Sequence, residues 1–195
     1  MATPSGAPHQ HHAVQFYGSD ESLFATVASF LGEGLIAQQP AIMIATPAHR
    51  IAIEEHLCRR MIDCETARHE GELVVLDAED TLSLFMVNGQ PDAEMFEANV
   101  GRLIQQVLAG RNRTTIRAYG EMVDVLWKAG ESQAAINLEI LWNKLALKYN
   151  FALLCGYAMG SFYKQTQQLE QIAALHSHVV ETNVVPFPAR NRTSA

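Results

Sequence analysis

Thr114–Gly130 reads TTIRAYGEMVDVLWKAG, and the architecture of the chain turns on it. It opens on the β-branched, apolar run Thr114, Thr115 and Ile116, the composition of a buried strand. It then passes through Gly120 and delivers Glu121, Asp124 and Trp127 where that strand should have ended. In open α/β sheets, ligands sit beyond the carboxyl ends of the strands, so two carboxylates and an indole at this point describe a binding edge. An ordinary strand-to-helix turn reads the same way, with Glu121 paired to Arg117 or Arg50 and Asp124 merely structural.

On both sides of this stretch, strand and helix signals alternate along the chain. Ala13–Tyr17 (AVQFY) predicts a strand, followed by a helix with Leu23, Val27, Phe30, Leu31 and Leu35 on one face and Ser19 or Asp20 as its cap. Ala41–Ala45 (AIMIA) reads as a buried strand, and Thr46-Pro47 as the cap and first residue of the next helix. Leu73–Leu76 is a third strand, with Asp80 expected to cap a short helix after it, and Asp92 opens a further helix. Phe151–Cys155 is a fifth strand, preceded by a helix with the inner stripe Ala135, Leu138, Leu141, Trp142 and Leu145. A last helix is expected over 161–180. Strands separated by helices of this length require right-handed parallel crossovers. The expected fold is therefore α/β, a three-layer α/β/α sandwich with a mostly parallel central sheet. The expected organisation is a flexible tail over 1–11, one domain over 12–180 and a loose tail over 181–195.

Of the 195 residues, 48% are hydrophobic and 18% charged, the balance of a globular domain. The net charge of −7 and the scattering of the 14 Lys and Arg argue against nucleic-acid binding, which needs a basic face to neutralise phosphates. No apolar run approaches the roughly 20 residues that span a bilayer. No membrane contact and a cytoplasmic location are expected. Cys58, Cys64 and Cys155 form no metal-site pattern, and His9, His11 and His12 lie in a Pro- and Gly-containing terminal segment; no metal and no cofactor are assigned.

The first strand-to-helix turn reads YGSDES, with one glycine, no lysine and two acids. A phosphate-binding turn needs backbone approach through glycines and a positive end, so Asp20 and Glu21 would repel a triphosphate there. Neither a GxxxxGKS/T nor a GxGxxG motif occurs anywhere in the chain. ATP hydrolysis through a phosphate loop is argued against by charge as well as by absence.

Together, HAVQFY, IATPAHR, GELVVLDAEDTLSLFM, RAYGEMVDVLW, LEILWNKLA and LLCGY, occurring in this order, resemble the MEDS domain, the sensory domain named for methanogens, methylotrophs and the regulator DcmR. The resemblance covers about 12–180. It implies a RecA/KaiC-like fold from which the phosphate-binding loop has been lost. It also implies a role in signal transduction, in which Glu121 and Asp124 are the remnant of an ATPase edge that once held Mg²⁺ or oriented water. No kinase core or basic helix-turn-helix follows, so a signal would pass by contact with another protein, such as a histidine kinase, or through a homodimer. The helix expected over 161–180 is a candidate surface for that contact.

The candidate ligand-binding residues are His12, Gln15, Tyr17, Thr46, Arg50, Asp77, Glu121 and Tyr157, each on or near a strand end. Arg50 offers a fork for a carboxylate or phosphate, with a surface pair to Glu54 as the alternative. No catalytic residue is assigned. The leading expectation is a non-enzymatic sensor that binds a small molecule or partner at the carboxyl edge of the sheet. An unconventional nucleotide hydrolase or phosphotransferase using Glu121, and a ligand-free adaptor, stay open.

Overall fold

The computed structural model describes residues 11–111, 114–162 and 166–180. Its strands are β1 (His11–Tyr17), β2 (Ala41–Ala45), β3 (Leu73–Asp77), the short hairpin β4 (Met86–Val87) and β5 (Gln90–Pro91), β6 (Ile116–Gly120), β7 (Phe151–Ala158) and β8 (His178–Val179). Six of them form one sheet in the order β3-β2-β6-β7-β1-β8, every neighbouring pair parallel. The expected parallel α/β architecture is what forms. The terminal stretches 1–10 and 181–195, to which the expected tails belong, lie outside the described residues, and β1 already begins at His11.

Strand alternation sorts the side chains onto two faces. Ala13 and Tyr17 of β1, Met43 of β2, Tyr119 of β6 and Leu154 of β7 pack with α1 (Asp20–Ile36), α2 (Pro47–Arg59) and α3 (Cys64–His69). Val14, Phe16, Ile42, Ile44, Ala118, Leu153, Cys155 and Tyr157 face the opposite way. That second face is covered by α4 (Ala78–Ser83), α5 (Ala93–Phe96), α6 (Arg102–Leu108), α7 (Met122–Lys128), α8 (Ser132–Ala146) and α9 (Thr166–Ala174).

Local chemistry explains the starts of these elements. Ser19 caps α1 through Ser22 N–H. The short helix α4 is capped by Asp77, whose side chain accepts from the N–H groups of Glu79 and Asp80; Asp80 instead lies in the first turn. Such a cap is worth about 0.5–2 kcal/mol.

The expected last helix is shorter than its periodicity indicates. A 3₁₀ turn over Met159–Phe162 and α9 precede β8, which pairs with the open edge of β1 at Ala13 and Val14. Ser177 interrupts the helix by bonding the β1 backbone: its N–H and hydroxyl both donate to His12 O, at 2.7 and 2.8 Å. Phe162 and Ile172 are buried, so this segment covers the sheet.

Candidate functional site

The carboxyl ends of the strands are where the chain divides between the two faces. After β1 and β2 it turns toward α1 and α2; after β3 and β6 it turns toward α4 and α7, and β7 runs on to Phe162 on that same side. Neighbouring strands therefore diverge between β3 and β2, between β2 and β6, and between β7 and β1. Crevices at such points are where ligands bind in these sheets. Here each is spanned by a buried or half-buried polar contact.

Between β3 and β2, Arg50 Nη2 donates to Asp77 Oδ2 at 3.0 Å. The surface partner considered for Arg50, Glu54, instead receives Arg68 at 2.7 Å. Between β2 and β6, Glu121 stands at the start of α7 but makes no cap bond there. Its carboxylate turns to the start of α2, accepting the Thr46 backbone N–H and the Tyr119 hydroxyl (3.1 Å) and pairing with His49 Nδ1 (2.7 Å). The positive end of α2 adds to this attraction. Arg117, the other partner considered for Glu121, bonds Gln39.

Burial opposes ionisation of Glu121, but the hydrogen bond and charge of His49, with the Thr46 N–H, outweigh it and lower its pKa. The same hydrogen bond raises that of His49, against the effect of burial. The two shifts run in the directions that favour a carboxylate–imidazolium pair. Gly156 of β7 keeps room for it, since a Cβ there would lie 3.0 Å from Leu23 and 3.2 Å from the Tyr119 hydroxyl.

Between β7 and β1, Asp124 accepts the Tyr17 hydroxyl at 2.8 Å and the Ala158 N–H at 3.0 Å, and pairs with Lys128 Nζ at 2.7 Å. Lys128 also donates to the Tyr17 oxygen at 3.2 Å. Burial, and then the Asp124 charge, push the Tyr17 hydroxyl well above its usual range. Trp127, beside this network, is core: it stacks on Phe162 with ring centroids 4.7 Å apart. Asp20 and Glu21 occupy the first turn of α1, where a phosphate would need the opposite sign.

The candidate residues thus divide. Tyr17, Thr46 and Glu121 lie in the edge network, and Arg50 and Asp77 in the adjoining crevice. Gln15 faces α1, its amide donating to Ser22 O at 3.3 Å. His12 and Tyr157 point to the other face, into an interior cluster with Glu139, Cys155 and His176. One ligand atom from each of His12, Glu139, Cys155 and His176 lies within 4.8 Å of all the others, a donor set that could hold a metal. Burial opposes ionisation of Glu139, yet the His176 charge and the hydrogen bond from His12 hold its carboxyl well below the usual range. Burial and then the Glu139 charge push the Cys155 thiol and Tyr157 hydroxyl up.

Sequence reasoning also missed His49 and Lys128 at the edge, because their roles depend on which crevice their helices border. A cavity of about 760 Å³ lies elsewhere, at the amino ends of β6 and β7, where Phe30, Glu33, Arg117, Ala152 and Val180 are among its lining.

No helix of the described residues is long and apolar enough to cross a membrane. No curated protein matches the chain. The family described as the methanogen/methylotroph, DcmR sensory domain matches residues 11–177, the whole sheet up to the turn before β8. With the match spanning nearly all of the described fold, the chain belongs to the MEDS family of sensory domains.

Proposed function

We propose that this chain is a non-enzymatic sensory domain that takes up a small polar or anionic molecule at the carboxyl edge and relays its presence to a signalling partner, a histidine kinase being the expected kind. The observation that carries this reading is the edge network. Asp124 ties α7 to β1 and β7, and Glu121, three residues earlier, ties α7 to β2 and α2. A ligand that claims Lys128, whose side chain is 50% exposed, releases Asp124 and Tyr17 together. Binding at one residue then alters contacts at several strand ends, which is the differential contact that a population shift requires.

The same network speaks against hydrolysis: Glu121 is committed to Thr46, His49 and Tyr119, and the turn after β1 carries acids rather than a phosphate cradle. Melting of the full chain against a panel of short carboxylates, alcohols and inorganic phosphate, with ATP and Mg²⁺ alongside, tests the reading. The expected result is a rise in Tm with a panel member that is lost in Lys128→Met, and no rise with ATP. An ATP turnover abolished by Glu121→Gln would restore the hydrolase reading.

The cavity at the amino ends favours a second location for the ligand, its volume lying within the range of about 300–1,000 Å³ usual for small-molecule sites. A shift that survives Lys128→Met but is lost in Arg117→Met would place binding there.

A further inference from the structure

We propose that His12 Nε2, Glu139, Cys155 Sγ and His176 Nε2 form a buried, four-coordinate site for one divalent transition-metal ion of the zinc class.

Both imidazoles are aimed at one space. Asn143 Nδ2 donates to Leu175 O at 2.9 Å, which fixes the amide so that its Oδ1, an acceptor only, faces His12 Nδ1 at 2.9 Å. His12 therefore carries its proton on Nδ1. His176 Nδ1 faces the carbonyl of Ile172 at 2.7 Å and must likewise be the donor. Both rings are pinned by their outer nitrogens, leaving Nε2 of each directed inward. This outer-sphere arrangement is typical of metal-ligating histidines.

One of these inward nitrogens makes no hydrogen bond, only a long contact with a carboxylate. The His176 side chain is fully buried, and its Nε2 lies 3.4 Å from Glu139 Oε1 with no hydrogen-bond partner among the described residues. A buried polar nitrogen without a partner costs free energy unless something else meets it.

The donor set and its spacing match a metal as well. Around His12 Nε2 stand Glu139 Oε2 at 3.2 Å and Cys155 Sγ at 3.3 Å, and those two atoms are 3.5 Å apart. Metal–ligand bonds of about 2.0–2.3 Å at tetrahedral angles place donors roughly 3.3–3.8 Å apart. One sulfur, two imidazoles and one carboxylate suit zinc rather than calcium or magnesium. As the metal–sulfur and metal–nitrogen bonds form, the thiol proton and the proton shared between Glu139 and the imidazoles leave to solvent. Two anionic ligands then balance the dication, so the buried site is neutral.

The ligands come from β1, α8, β7 and the segment between α9 and β8, so the ion would cross-link the C-terminal segment to the sheet. Zn²⁺ and Co²⁺ titrations of the full chain test this. The expected result is one ion per chain and, with Co²⁺, a thiolate-to-metal charge-transfer band. That band should persist in His9→Ala/His11→Ala, disappear in Cys155→Ser and weaken with an affinity loss of about 10–100-fold in Asn143→Leu. Absence of binding, or a band unchanged in Cys155→Ser, overturns the proposal. Should a variant fail to fold, X-ray absorption of the wild-type adduct decides: one sulfur neighbour with nitrogen and oxygen supports the site, and a shell without sulfur contradicts it.

Discussion

Glu121 and Glu139 are both buried carboxylates facing a histidine, and they sit on opposite faces of one sheet in different roles. Glu121 lies at the edge, where a backbone N–H, a tyrosine hydroxyl and His49 share its charge. At the same edge, its partner His49 and the Asp124 partner Lys128 retain 15% and 50% side-chain exposure, so solutes can compete for them. Glu139 is sealed between two imidazoles, a thiol and the Tyr157 hydroxyl, all interior. The contrast separates an edge whose charged groups solvent reaches from an interior centre that joins the C-terminal segment to the sheet.

The largest expected effect is at the interior centre. Removing one partner of a buried ionic cluster leaves uncompensated charge, so Glu139→Ala should cost about 3–5 kcal/mol in urea unfolding. Glu121→Gln keeps the shape and removes charge-assisted bonds, for which about 1.5–3 kcal/mol is expected. Equal losses at the two sites would erase the distinction between them.

Gly156→Ala tests whether the sheet interior supports the edge. The added Cβ crowds Leu23 and the Tyr119 hydroxyl, and overpacking of this kind costs about 1–3 kcal/mol. Glu121→Gln should cost less in that background than in the wild type, because displacing Tyr119 has already weakened the same network; full additivity in a double-mutant cycle would show no coupling.

The smallest effect is in pH. The lowered pKa of Glu121 contributes stability above its unfolded value near 4.5, lost as pH falls through the folded value. The raised pKa of His49 contributes stability below its unfolded value near 6.5, lost as pH rises through the folded value. The pair therefore stabilises most between those limits. His49→Gln should flatten both flanks in urea midpoints measured across that range; an unchanged profile would mean the pair is not ionic.

Much of the frame is legible in the sequence. Short apolar runs, capping residues and Thr46-Pro47 mark the strands and helices, and Tyr17, Thr46 and Glu121 read as strand-end residues where the fold puts them. Strand phase is harder to read. A period of two sends His12 and Tyr157 to the face opposite Tyr17 and Glu121, and proximity to a strand end does not reveal the face. Glu139 carries a signal that is easily passed over: with Ala135 and Trp142 it lies at helical spacing in the middle of the apolar stripe of α8, where a carboxylate needs partners. Those partners, His12 and His176, are more than a hundred residues apart, and only the crossovers bring them together. The C-terminal segment misleads because its helical periodicity continues through His176, whereas the open edge of β1 makes strand pairing the better use of His178 and Val179.

Native mass spectrometry of the full chain, wild type beside Lys128→Met, is the sharpest test of an edge that binds and senses, because it detects whatever the edge retains, whichever molecule that is. A small molecule bound to the wild type and depleted in the variant, with no nucleotide on either, is the expected result. A bound nucleotide, or equal occupancy of the same molecule in both proteins, would contradict it.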